Sequence, residues 1–63
     1  MQVTINGQEM TIECESTVKS LLSPYRADNK AVVLELNGEV VTNDDHPISE
    51  GDTIEIVTFV GGG

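Results

Sequence analysis

Apolar and polar residues alternate from the first position. Met1, Val3 and Ile5 lead to Asn6-Gly7, and Met10, Ile12 and Cys14 follow with the same period of two. An Asn-Gly pair between alternating runs predicts a β-hairpin with a two-residue turn. That register sets position 5 against 8, 3 against 10 and 1 against 12, so Met1, Val3, Ile5, Met10 and Ile12 share an inner face. Gln2, Thr4, Glu9 and Thr11 share the outer one. Cys14, at the inward end of the run, reads as a small buried apolar residue.

The period then changes. Ser16 stands where a helix N-cap belongs, and Val18, Leu21 and Leu22 follow at the spacing of one helical face. Pro24 disfavours helical geometry at Ser23, which predicts a helix of about two turns with Tyr25 as an anchor just beyond it. A helix that short needs the apolar face of a sheet to lie on. Arg26 to Lys30 is polar and aperiodic and reads as a connecting loop.

Val32, Leu34 and Leu36 restore the alternation up to a second Asn-Gly turn at Asn37-Gly38, followed by Glu39 to Thr42. Leu34 then faces Val41 inside, with Val33 and Val40 outside. Turn formers fill Asn43 to Asp52, with Ile48 as the one core contact. The last strand begins at Thr53 with Ile54 and Ile56 inward, which leaves Val57 and Phe59 on the outer side with Val33 and Val40. Two placements of Phe59 follow: an outer apolar patch near Val57 and Val60 that contacts a partner, or a bulge that returns the ring to the core.

Length bounds what such a chain can do. At 63 residues it makes one domain, and nearly every large apolar side chain is needed to close a single core, which argues against a self-sufficient enzyme. Three basic against eleven acidic residues give a formal charge of −8, which disfavours nucleic acid and anionic membranes and suits approach to a basic protein surface. One cysteine leaves no internal disulfide, and the N-terminal stretch has neither a basic start nor a long apolar run, so a cytoplasmic protein is expected.

Chemistry concentrates at the end. Gly61-Gly62-Gly63 directly continues a strand and has no turn to make, so it is either a flexible terminus or a working arm. A side-chain-free arm threads a narrow channel, and three extended residues reach roughly 10 Å. Its carboxylate is a poor electrophile until converted to an acyl adenylate, which a thiolate or persulfide then attacks. Elsewhere, Asp44-Asp45-His46 in a turn does not suit convergence on one metal ion, so no metal site is expected. No nucleophilic triad or phosphate-binding cluster is apparent, and no catalytic residue is assigned.

Glu50-Gly51-Asp52, Thr53 to Val57 and Phe59-Val60-Gly61-Gly62-Gly63 resemble the end of the ThiS-like sulfur carrier proteins of thiamine biosynthesis. Ser16-Thr17-Val18, Leu21-Leu22 and Leu36 to Val41 are similar at matching spacing, so the resemblance spans essentially the whole chain. It implies an α+β, ubiquitin-like β-grasp fold: a mixed sheet of four to five strands, one short helix across it, and the first and last strands side by side. Residues 1–60 would form the domain and 61–63 the flexible tail. It also implies that Gly63 becomes a C-terminal thiocarboxylate, with Gly61 and Gly62 inserted into a partner. An E1-like adenylating enzyme would use ATP and magnesium, with no cofactor bound by the carrier itself. A desulfurase system would supply sulfur, and thiazole synthase would receive it. A carrier for molybdopterin synthesis or tRNA thiolation, a ubiquitin-like modifier and a plain binding module remain alternatives.

Overall fold

The two Asn-Gly turns organise the sheet. A computed structural model describes residues 1–28 and 31–59. Asn6 and Gly7 have φ 51° and 83°, and Asn37 and Gly38 have φ 51° and 89°, the positive values a two-residue hairpin turn requires. The first joins β1 (Gln2–Ile5) to β2 (Gln8–Thr11), with Val3 opposite Met10 and Ile5 opposite Gln8, in the expected register. The 1–12 pairing extends it, through Ile12 N–H to Met1 O at 2.8 Å and the Met1 ammonium to Ile12 O at 2.7 Å. The second turn joins β3 (Ala31–Leu36) to β4 (Glu39–Val41), with Leu34 opposite Val41.

The single helix among the described residues, α1 (Val18–Ala27), lies between the hairpins in sequence, and β5 (Thr53–Phe59) closes the fold. The five strands order as β2-β1-β5-β3-β4, with β1 and β5 parallel and the other neighbours antiparallel. A helix on a mixed sheet with the first and last strands adjacent is the β-grasp arrangement. The core comprises Val3, Val18, Leu22, Leu34, Leu36, Ile48, Ile54 and Ile56, so the loop residue Ile48 is buried as its isolation among turn formers predicts.

Several expectations are corrected. The helix is capped one residue later than expected. Thr17 Oγ1 accepts from Ser20 N–H at 3.3 Å and Ser20 Oγ accepts from Thr17 N–H at 2.9 Å, while the Ser16 hydroxyl donates to Glu13 O. The helix also runs to 10 residues, through Pro24 and on past Tyr25 and Arg26, longer than the two turns the proline suggests. Pro24 removes the N–H that would reach the carbonyl of Ser20. Both residues are exposed, so that carbonyl lies on the solvent side of the helix, while Leu22, with Leu21 and Tyr25 partly buried beside it, holds the opposite face against the core. Arg26 and Ala27 therefore belong to the helix and not to the loop, and the loop residues Asn29 and Lys30 lie outside the described residues.

Met10 and Cys14 are the other departures. Met10 sits on the inner side of β2 by register yet is 44% exposed, because the helix packs mainly on β3 and leaves the β2 edge uncovered. Cys14 is exposed and not buried. Strand β2 ends at Thr11, and a turn with Glu15 at φ 70° takes the chain off the strand line before the alternation reaches Cys14.

Candidate functional site

Strand β5 leads into the terminal glycines, and both of its neighbours hold it through asparagine side chains as well as backbone. On the β1 side, Asn6 N–H donates to Ile54 O at 2.9 Å. Its side-chain amide then continues the ladder, accepting from Ile56 N–H at 2.8 Å and donating to Ile56 O at 3.3 Å. On the β3 side, Asn37 N–H donates to Thr53 O at 2.7 Å, and its Oδ1 accepts from Thr53 N–H at 2.9 Å. Each turn asparagine thus has two duties, a left-handed backbone and a clamp on the last strand.

Glu50-Gly51-Asp52 ties the start of β5 to β1. Gln2 N–H donates to Glu50 Oε1 at 2.9 Å, Gly51 N–H to Gln2 O at 2.7 Å, and Thr4 N–H to Asp52 O at 3.0 Å. The Asp52 carboxylate accepts from Ser49 N–H at 2.7 Å and from the Asn37 amide at 3.1 Å. Sequence reading recognised these residues as turn formers and missed their side-chain roles. The signal was there only as Asn in place of Asp at both turns, since an amide donates as well as accepts and a carboxylate does not.

On the outer face, Val33 lies opposite Val57 and Ala31 opposite Phe59. Phe59 is 52% exposed, Val57 39% and Val40 59%, so the ring is on the outside and the bulge that would return it to the core does not occur. Nearer the start of β5, Glu35 faces Glu55, giving that face an acidic end and an apolar end. Val60, Gly61, Gly62 and Gly63 lie outside the described residues.

Asp44, Asp45 and His46 go separate ways. The Arg26 guanidinium grips the Asp44 carboxylate with two hydrogen bonds of 3.0 Å, which hold that carboxyl below its usual range and raise the arginine. Asp45 N–H bonds the Asn43 side chain, and His46 Nδ1 lies 2.9 Å from Pro47 O. No three metal-ligating side chains come together among the described residues. Beside the Arg26–Asp44 pair, a cleft of 130 Å³ lined by Leu22, Val32 and Val41 falls below the roughly 300–1,000 Å³ of small-molecule sites.

The ThiS family model matches residues 3–63. The chain belongs to the ThiS family. It is 35% identical over 63 residues to the sulfur carrier protein ThiS of Bacillus subtilis, covering 94% of this chain and 96% of that one. It is 36% identical over 66 residues to a thiazole synthase of Paramagnetospirillum magneticum; the match covers this whole chain but only 20% of that longer protein. A crystal structure of the thiamine biosynthesis protein ThiS from Geobacter metallireducens superposes with a TM-score of 0.74 at 35% identity over the full length of both chains. That likeness agrees with the β-grasp arrangement and with the placement of β5 between β1 and β3.

Proposed function

We propose that this ThiS-family chain is a sulfur carrier of thiamine biosynthesis, a carrier and not an enzyme, acting in the cytoplasm. In this reading, an E1-like enzyme uses ATP and magnesium to convert the Gly63 carboxylate to an acyl adenylate. A persulfide of the desulfurase system attacks the acyl carbon and AMP leaves. A thiol then reduces the resulting acyl disulfide to release the thiocarboxylate, and thiazole synthase takes up the sulfur. Near-full-length similarity to the Bacillus sulfur carrier carries the reading. The similarity to part of a thiazole synthase favours thiazole formation over the molybdopterin and tRNA acceptors.

The chain's physics fits that role. A carrier must be grasped by partners while its reactive group is presented beyond its own fold. Clamping by Asn6 and Asn37 fixes β5, the strand that Val60 to Gly63 follow in sequence. The exposed Val57 and Phe59, continued by Val60 in sequence, supply an apolar contact for the enzyme, and a charge of −8 steers the carrier toward a basic surface. Gly61 and Gly62, with no side chains, pass a narrow channel and let Gly63 reach the nucleotide.

Reconstitution tests the proposal. With an adenylating enzyme, ATP, magnesium and a sulfur donor, mass spectrometry of the C-terminal peptide should show one oxygen of Gly63 replaced by sulfur. A bulky residue added after Gly63 should abolish loading, because it displaces the carboxylate and blocks the channel. Normal loading of that extended chain would contradict the proposal.

A further inference from the structure

In an antiparallel ladder the backbone groups of successive residues point to alternate sides. In β5 the odd positions face β3, as the Thr53 carbonyl shows by accepting from Asn37 N–H at 2.7 Å. The even positions face β1: Ile54 O accepts from Asn6 N–H, and Ile56 bonds the Asn6 amide through both its backbone groups. The next even position is Thr58. Its N–H and C=O point to the same side, but β1 has ended at Ile5 and the Asn6-Gly7 turn has carried the chain away to β2. Among the described residues nothing pairs with them.

Folded proteins blunt such open edges with charge, proline or shortness. Strand β2 carries Glu9 and the three-residue β4 carries Glu39. The open stretch Val57-Thr58-Phe59 is as short as β4 but lacks the other protections: it is uncharged, contains no proline, and is built of residues that favour strands. It also stands directly before the terminal glycines. A second copy of this chain is a poor occupant, because each carries a charge of −8.

We propose that the open edge of β5 at Thr58 is a strand-addition site for an extended segment of the adenylating enzyme, which takes over the β1 side of β5 where the Asn6 amide leaves it. The proposal rests on the carrier reading above. Backbone pairing sets the register of the tail without calling on side chains, which suits an arm whose last residues are glycine. The added segment carries apolar side chains at alternate positions, which meet Val57 and Phe59 on the outer face.

Amide hydrogen exchange tests this in the intact chain. In the free protein the Thr58 amide should exchange much faster than those of Val57 and Phe59, which face β3; in the complex with the adenylating enzyme it should slow by at least about tenfold. Thr58→Pro removes the edge donor without touching the β3 ladder, so thermal stability should stay near the parent while Kd rises about tenfold, whereas Thr58→Ala should bind as the parent does. A formed complex in which the Thr58 amide exchanges at its free rate overturns strand addition alone, whether or not Thr58→Pro folds, as does parental affinity of a folded Thr58→Pro chain. Failure to form any complex with the adenylating enzyme overturns the carrier reading and this proposal together.

Discussion

Asn6 joins backbone geometry to the anchoring of the last strand. Asn6→Ala puts a Cβ-bearing residue with no local hydrogen bond at φ 51° and strips both amide bonds from Ile56, whose side chain is in the core. A cost of roughly 2–3 kcal/mol is expected from urea unfolding. Asn6→Gly should recover only the turn's share, which separates the two roles. Phe59 belongs to the opposite category. At 52% exposure, Phe59→Ala should change stability by less than about 1 kcal/mol yet cost about 2 kcal/mol or more in affinity for the adenylating enzyme, read by calorimetry. The alternation offered an outward position for Phe59 as one of two placements, and only the exposure of the ring in the fold decides between them. The Asn6 clamp was not legible in the sequence, because it depends on the approach of a strand 50 residues away. Cys14 was misread because alternation continues in the letters after the strand has stopped.

Elements differ in how fully local rules describe them. The two hairpins follow from their Asn-Gly turns and flanking periods, which are local and mutually consistent. The helix does not, since Pro24 argues for an early end and the chain overrides it. The explanation lies on its two faces: Val18 and Leu22 are buried, while Pro24 and Ser20, whose carbonyl loses the proline's N–H, are exposed. The N-terminal end is also tightly held, with Val18 N–H on His46 O and Lys19 N–H on Asp44 O, both at 3.0 Å. Pro24→Ala should therefore stabilise the protein by about 1–3 kcal/mol and raise its urea midpoint, by restoring a helical hydrogen bond and relieving the ring. A fall in the midpoint would show that the proline is fitted to its site. Met10 makes the same point for sheets: a period of two assigns a side, and only the position of the helix decides whether that side is covered.

At the scale of the whole molecule, a charge of −8, a small core and a last strand clamped from both sides are the features on which the proposed carrier role rests. The mixed sheet, with β5 threaded between β1 and β3, was legible only through the family resemblance, because local patterning predicts strands and hairpins but not which distant strands pair. The end of the candidate site was read from the sequence, as three successive glycines after a strand, and the anchoring of that strand from the structure. The central claim is that Gly63 carries sulfur, and intact mass spectrometry of the chain purified from its native cells tests it most directly. The account predicts a fraction heavier by the difference between one sulfur and one oxygen, with the added mass confined to the C-terminal peptide and lost on treatment that hydrolyses thiocarboxylates. A chain found only as the free acid in cells actively making thiazole, or joined through Gly63 to lysines of other proteins, would contradict it.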